Sequence, residues 1–213
     1  MKIQDPPGEH LHPIINLYTQ GFLQQALSES SQMLERFPNS IILYNIAGAS
    51  NSGLMQFDDA IESYKQVLKI KPDYAEAYYN MGVALKSKGN PEAAIDSYKQ
   101  ALKIKPDYAE AYYNMGVALT NKDDLEGAID SYKQALKIKP DYIGVYSNTC
   151  EAYEKSNKLA ELSEVISRAK TALKEFPDDL LLYEALYYFR SNNYENSEKL
   201  ISLVNIDQLG LIR

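Results

Sequence analysis

Two adjacent stretches of 34 residues, 75–108 and 109–142, are nearly identical in sequence and differ at only six positions. A repeat of fixed length indicates a stack of similar supersecondary units, each of which buries its apolar face against its neighbours. This repeat constrains the fold more than any other feature of the chain. It predicts an array of units, and a function that is carried by a repeating surface.

The apolar and small residues of 75–108 follow the spacing of two helices. Positions three and four apart lie on one helical face, and the two sets are Tyr78, Met81, Gly82 and Leu85, then Ala94, Tyr98 and Ala101. Asn90 is a natural N-cap before Pro91, and Pro suits the first turn of a helix. The pattern therefore predicts an all-α fold in which each unit is a pair of helices joined by a turn.

Local packing and capping can also be predicted. Gly82 and Ala94 are expected to face each other where the two helices cross, because a bulky side chain would push the axes apart. Asp73 with Glu76 has the spacing of a capping box, as does Asp107 with Glu110. Three acidic pairs precede predicted helices and are interpreted as caps; they are Asp58-Asp59, Asp123-Asp124 and Asp178-Asp179.

The repeating residues resemble the tetratricopeptide repeat (TPR), whose pattern is an aromatic residue, Leu-Gly, Tyr, Ala with an aromatic residue four positions later, and Pro. The matching residues of 41–74 and 109–142 are Tyr44, Gly48, Ala60, Tyr64, Pro72 and Tyr112, Gly116, Ala128, Tyr132, Pro140. Asn51, Leu85 and Leu119 stand where Tyr is usual. The resemblance implies a solenoid of antiparallel helix pairs that forms a right-handed superhelix, with the first helices lining its concave face.

The predicted organisation covers the whole chain. It consists of a flexible N-terminal arm (1–11), a degenerate repeat (12–40), three regular repeats (41–74, 75–108 and 109–142), a divergent repeat (143–179) and a degenerate or truncated C-terminal repeat (180–213). The divergent repeat is predicted to carry about three extra residues in its second helix. Cys150 occupies the small-residue position of Gly82 and is predicted to be a packed thiol.

Asparagines recur at the sixth position of three consecutive units, as Asn80, Asn114 and Asn148, and Asn45 lies one position earlier in the preceding unit. An amide offers a donor and an acceptor, so a row of amides can pair with both backbone groups of an extended peptide. The row is similar to the asparagine ladder in the repeat region of O-linked N-acetylglucosamine transferases.

Two tyrosines accompany this predicted row of amides. Tyr79 and Tyr113 directly precede Asn80 and Asn114 and are expected to face the same groove, where they would supply a large contact area. The alternative interpretation of the asparagines is that they bridge adjacent first helices and serve packing.

Composition argues against several classes of function. The net charge is −7 and no segment is strongly basic, so nucleic acid is not an expected partner. No apolar run approaches the roughly 18 residues of a membrane span, and the first residues lack a secretion signal, which favours a cytoplasmic protein without membrane contact. The single Cys150 is consistent with a reducing compartment.

Motifs for catalysis or cofactor binding are also missing. Residues 48–53 resemble a phosphate loop but lack the following Lys. His10 and His12 have no second cluster of metal ligands. The chain is therefore not expected to be an enzyme by itself, and no cofactor or metal is expected.

The main functional hypothesis is a protein-interaction scaffold that binds an extended peptide or partner segment in its concave groove. Two alternatives stay open. The degenerate late units look like those that precede catalytic domains in bacterial repeat-containing sulfotransferases and glycosyltransferases, so the chain would be the recognition region of a larger enzyme. The apolar segment 200–213 would instead allow a structural array to self-associate through its end.

Overall fold

The computed structural model describes residues 4–204 of the chain. They form twelve helices, which confirms the predicted all-α fold class. The helices are α1 Gly8–Thr19, α2 Leu23–Arg36, α3 Ile41–Gly53, α4 Phe57–Ile70, α5 Ala75–Ser87, α6 Pro91–Ile104, α7 Ala109–Thr120, α8 Leu125–Ile138, α9 Ile143–Lys155, α10 Leu159–Ala172, α11 Asp178–Arg190 and α12 Tyr194–Ile201. Successive helices pair as α1/α2, α3/α4 and so on.

The chain divides into two compact units, 1–111 and 112–213, and the division falls inside α7. In the first unit, buried aliphatic and aromatic side chains of α1 to α6 form the core between paired helices. In the second unit, a single larger cluster joins α8, α9, α10 and α11 and includes Tyr132, Tyr146 and Leu162. Both units thus bury apolar faces between neighbouring helix pairs, as a repeat array requires.

A left-handed backbone residue marks the turn inside every helix pair. Gly21, Met55, Gly89, Asp123 and Asn157 follow each other at intervals of 34 residues, and Asn192 comes 35 residues after Asn157; all six have positive φ. This conformation closes a helix and is easiest for Gly and then Asn or Asp. The recurrence shows that the same helix–turn–helix geometry extends into the degenerate ends of the sequence.

The divergent repeat is longer by one residue, in a different place from the predicted one. Its second helix, α10, has 14 residues, the same number as α6 and α8. The extra length lies in the connection 173–177, which has five residues where the connection 105–108 has four. The prediction of about three extra residues in the helix was wrong, because Pro177 ends a longer loop and α10 keeps its ordinary length.

Helix crossings place a glycine against a tyrosine. A Cβ atom built on Gly82 would lie 2.6 Å from the ring of Tyr98, and one on Gly48 would lie 2.7 Å from the ring of Tyr64. Gly116 meets Tyr132 in the same way. The partner of the glycine is therefore this ring, and the predicted face-to-face contact with Ala94 is replaced by it, because the large tyrosine fills the space that the missing side chain leaves.

Only some of the predicted caps are present. The Asn90 side chain accepts from the Ala93 amide at 3.2 Å, which confirms that cap, and Asp124 accepts from the Gly127 amide at 3.0 Å. Helix α5 begins after Tyr74 without a side-chain cap, so the Asp73–Glu76 capping box was wrong. The Asp58–Asp59 and Asp178–Asp179 pairs lie inside the first turns of α4 and α11, where they complement the helix dipole.

The N-terminal segment is more ordered than the predicted arm, 1–11. Helix α1 begins at Gly8 and its Leu11 side chain is buried. The Asp5 carboxylate accepts from the Ser40 hydroxyl at 2.6 Å and from the Ile42 amide at 3.3 Å. These contacts attach the segment to the start of α3. At the other end, residues 205–213 of the predicted apolar segment lie outside the described residues.

Candidate functional site

A groove in the first unit is lined by the first helices of three successive pairs. Its volume is about 330 Å³. The lining residues are Ile15 and Tyr18 of α1, Ile42, Asn45, Ile46 and Ala49 of α3, Tyr74 just before α5, and Glu76 and Asn80 of α5. Aliphatic, aromatic and amide side chains therefore share one surface, with one carboxylate among them.

The structure brings two of the predicted asparagines together in this groove. Asn45 and Asn80 both line it although they differ by one position within the repeat. The Oδ1 atom of Asn45 is buried and has no hydrogen-bond partner among residues 4–204. A buried acceptor without a donor costs about 1–3 kcal/mol. Asn45 is thus held in a state that a donor from outside the chain would satisfy.

Tyr79 lies in a cluster of tyrosines of the first unit. Its ring centroid is 4.9 Å from that of Tyr108 and 6.1 Å from that of Tyr98, both in tilted arrangements. Tyr79 is half-buried and is not one of the residues that line the 330 Å³ groove. Its ring therefore supports the wall of the helix pair, a role that spacing within one helix could not predict.

Sequence reasoning missed a second series of tyrosines, Tyr74, Tyr108 and Tyr142. Each is preceded by a lysine whose Nζ atom lies over its ring, with Lys71, Lys105 and Lys139 at 5.1, 4.4 and 4.8 Å from the respective centroids. Tyr74 lines the groove. The available signal was the tetrapeptide Lys-Pro-Asp-Tyr, which closes three repeats. Its lysine and tyrosine form a cation–π pair.

Burial controls the electrostatics around the first-unit groove. Burial raises the pKa of Tyr74, and the nearby Glu76 and Asp5 carboxylates raise it further. Burial also raises the pKa of Tyr108, with Tyr79, Glu76 and Glu110 adding to the effect. Glu76 lies 3.8 Å from the Lys105 ammonium. The groove thus presents neutral phenols, amides and one partly compensated carboxylate at neutral pH.

The second unit holds the other predicted residues, Tyr113, Asn114 and Asn148. The Asn148 side-chain amide donates to the Tyr113 hydroxyl at 3.3 Å. The Tyr113 ring packs against Tyr142, at 5.2 Å between centroids, and against Tyr132 at 6.2 Å. Asn148 therefore bridges α9 and α7, which is the packing role. Asn114 follows Tyr113 on α7 and is half-buried.

The reactive side chains of residues 4–204 form no metal or nucleophile site. No group of three or more His, Cys, Asp or Glu residues in that range is arranged to hold a metal ion. His10 and His12 lie on α1, and the loop-like segment 48–53 lies within α3. Cys150 is buried, as predicted, and burial raises the pKa of its thiol to about 12, with Asp179 adding to the effect.

None of the helices within residues 4–204 has the length and apolar character needed to cross a bilayer.

Similarity to known proteins is concentrated in the regular repeats. The TPR repeat profile matches residues 56–89 and 84–123, and the tetratricopeptide repeat profile matches 109–142. A probable UDP-N-acetylglucosamine–peptide N-acetylglucosaminyltransferase, SEC of Arabidopsis thaliana, is 34% identical over 76 residues. That match covers 36% of this chain and only 8% of the plant protein.

Solved structures share the architecture over most of the chain. The crystal structure of MamA is 29% identical, with a TM-score of 0.66 over 74% of this chain and 90% of that one. The structure of YrrB, described as a TPR protein with an unusual peptide-binding site, is 18% identical, with a TM-score of 0.63 over 76% of this chain and 82% of that one. The repeat sequences, the helix pairs and these likenesses agree, and the chain is a tetratricopeptide-repeat protein.

Proposed function

We propose that this protein is a protein-interaction scaffold and that the first-unit groove binds an extended peptide segment of a partner. The observation that carries the proposal is the buried, unpartnered Oδ1 atom of Asn45 in a groove shared with Asn80. A peptide N–H group is the donor that such an acceptor lacks. The proposal explains why a polar acceptor is kept at a position where it otherwise costs stability.

The groove surface suits a peptide for a second reason. Tyr18 and Ile42 are 36% and 37% exposed, and with Ile15 they form an apolar wall beside the amides. An extended peptide presents backbone groups and side chains alternately, so its backbone can pair with Asn45 and Asn80 while alternate side chains contact this wall. Apolar contact supplies affinity, and the amides fix the direction and register of the peptide.

The second unit is assigned a smaller share of the binding. Asn148 already donates to Tyr113, so a ligand must compete for that amide. Asn114 and Tyr113 remain candidate contacts within their own unit. YrrB supports the general mode of action, since its description includes a peptide-binding site, while its 18% identity transfers only the fold.

The test starts from a peptide of known sequence. Peptides selected from a random displayed library against the immobilised full chain are synthesised and titrated by calorimetry. If each amide contributes about 1 kcal/mol, the double variant Asn45→Ala, Asn80→Ala weakens binding roughly 30-fold. Asn121→Ala, in an exposed turn of the second unit, is the matched control and retains full affinity.

Two outcomes separate the proposal from its rivals. Equal affinity of the double variant and the unaltered chain would exclude the Asn45–Asn80 groove as the binding surface. Failure of every selected peptide to bind in solution would exclude peptide recognition as such. Circular dichroism of the double variant shows whether it retains the helical content of the unaltered chain.

A second candidate function is the recognition region of a larger glycosyltransferase. The 34% match to the repeats of the Arabidopsis enzyme favours it, and the 8% coverage leaves that enzyme's activity outside the matched part. The reading frame around the source gene tests this candidate directly. A catalytic domain in the same frame would support it, and a stop codon after Arg213 would end it.

Self-association is a third candidate, favoured by exposed apolar side chains near the end of the described chain. Phe189 and Tyr194 are more than half exposed, and Leu203 is 63% exposed. Light scattering over a dilution series measures the mass directly. A mass of 24.1 kDa at every concentration would exclude this candidate.

A further inference from the structure

A second concave surface of the first unit lies between α2, α3 and α4 and shares no lining residue with the peptide groove. Its volume is about 480 Å³. Polar side chains dominate its lining, among them Asn51, Gln56, Asp59, Glu62 and Gln66. The charged residues in the lining are the two carboxylates, so the depression has a negative electrostatic potential.

Asn51 departs from the repeat at this place. The same repeat position holds Leu85 and Leu119, which pack against apolar clusters. Asn51 is only 5% exposed, lines the depression, and makes no side-chain hydrogen bond to any of residues 4–204. Burying an amide without a partner costs about 1–3 kcal/mol. A residue that breaks the packing rule of its own repeat and has no partner indicates a ligand.

The two carboxylates retain acceptor capacity. Asp59 forms no ion pair among the described residues, although its backbone carbonyl accepts from Ser63 at 2.8 Å. Glu62 accepts from the Gln66 amide through Oε1 at 2.5 Å, which leaves its second oxygen available. Asn51 Oδ1 is a third acceptor deeper in the same depression. Together they call for a group with several donors and a positive charge.

We propose that this depression binds an arginine side chain of a partner protein. A guanidinium group carries five N–H donors in a planar fork, which can reach two carboxylates and an amide oxygen at once. A lysine ammonium is a compact, strongly hydrated charge that leaves the buried Asn51 unsatisfied. A divalent metal is disfavoured, because no group of three or more acidic or imidazole ligands exists among residues 4–204. A free amino acid is disfavoured because its own carboxylate would face Asp59 and Glu62.

Nuclear magnetic resonance of the full chain tests the proposal. Uniformly ¹⁵N-labelled protein is titrated with arginine blocked at both ends, as Nα-acetyl-arginine methylamide, and with lysine and norleucine blocked in the same way. The arginine derivative is expected to move the Asn51 side-chain NH₂ resonances saturably. The lysine derivative binds at least fivefold more weakly, free arginine binds more weakly than the blocked form, and norleucine causes no shift.

Three variants locate the site. Asn51→Leu restores the residue of the neighbouring repeats and is expected to abolish binding while raising the unfolding midpoint. Asp59→Asn and Glu62→Gln are surface changes that leave the fold intact, and each weakens binding about two- to fivefold, the range for exposed ion pairs. Asp96→Asn is the matched control, since Asp96 occupies the repeat position of Glu62 outside the depression.

The proposal is overturned by any of three results. These are an absence of saturable shifts at Asn51, equal affinity for the lysine derivative, and binding that persists unchanged in both Asp59→Asn and Glu62→Gln. If Asn51→Leu failed to fold, the two carboxylate variants would still decide the question. Peptide binding by the groove is a separate measurement, so this proposal and the groove proposal can fail independently.

Discussion

The helix pairs α5/α6 and α9/α10 occupy equivalent places in the repeat but solve the helix crossing differently. In the first pair, Gly82 leaves room for the ring of Tyr98. In the second, Cys150 stands at the glycine position and Ile166 at the tyrosine position, and both are buried in one core cluster. A larger residue on one helix is thus matched by a smaller one on the other.

The same two pairs also differ at the groove position. Asn80 lines an open groove with Asn45, whose carbonyl oxygen lacks a partner. Asn148, at the position of Asn80, donates to the Tyr113 hydroxyl. The repeat pattern therefore determines where a residue stands, while its neighbours determine whether it packs, bridges helices or stays available for a ligand.

The largest expected difference concerns the Cys150 thiol, which replaces glycine at the crossing. Its pKa of about 12 leaves about one thiolate in a thousand at pH 9, where an ordinary cysteine is mostly ionised. Alkylation by iodoacetamide at pH 9 is therefore expected to be about 1,000-fold slower in the folded protein than in denaturant. Cys150 is the only cysteine, so mass spectrometry reports on it alone.

The same pKa has a consequence for stability. The folded thiol keeps its proton while the unfolded one loses it above about pH 9, so unfolding is favoured as the pH rises from 9 towards 12. Cys150→Ala should flatten this part of the stability profile. A native alkylation rate within tenfold of the denatured rate would contradict the buried crossing.

The crossing itself is tested next, by exchanging the pair. Gly82→Ala introduces a Cβ atom against the Tyr98 ring and is expected to cost about 1–3 kcal/mol of unfolding free energy. Gly82→Cys costs more, and Tyr98→Ile leaves a cavity. The double variant Gly82→Cys, Tyr98→Ile copies the α9/α10 crossing and should lose at least 1 kcal/mol less than the sum of the single changes. Urea denaturation measures all three, and additive losses would show that the two positions are independent.

The groove amides should separate stability from binding. Asn148→Ala removes the bond to Tyr113 and is expected to lower the unfolding free energy by about 1 kcal/mol. Asn80→Ala changes a half-buried groove residue and should alter stability by less than 0.5 kcal/mol while weakening peptide binding. Tyr113→Phe is the matched control for the bridge and should not add to the loss in Asn148→Ala. Equal losses from the Asn80 and Asn148 changes would remove the distinction between the two regions.

The smallest effect is expected at the left-handed turn, where Gly89 corresponds to Asn157. Gly89 has φ of 85° and Asn157 has φ of 55°. Gly89→Ala is expected to cost about 1 kcal/mol, since Cβ disfavours this conformation, and Gly89→Asn should cost less because Asn tolerates it. Thermal unfolding of both variants ranks them. A larger loss for Asn than for Ala would show that the two turns are not equivalent.

Much of the fold could be predicted from the sequence because helical spacing and repeat length are local properties. The near-identity of 75–108 and 109–142, the turn before Pro91 and the Asn90 cap all follow from neighbouring residues. The capping box of Asp73 and Glu76 failed because Tyr74, one residue later, begins the helix. A shift of one residue at a helix start changes a cap but not the helix.

The candidate site was predicted only in outline. Sequence spacing placed Asn45 and Asn80 towards one groove, and both line it. Tyr74 was missed because it lies between helices, where periodicity carries no information. Asn51 was noticed only as a departure from the family pattern, since burial and the absence of a partner are properties of three helices together.

By itself, the sequence determined the helix pairs, their length and the family, because each depends on residues within 34 positions of each other. The tertiary structure decided which asparagine is bonded and which is free, and which ring fills the space over each glycine. These outcomes depend on contacts between helices, where the volume and hydrogen-bonding capacity of one side chain are set against those of residues distant in the chain.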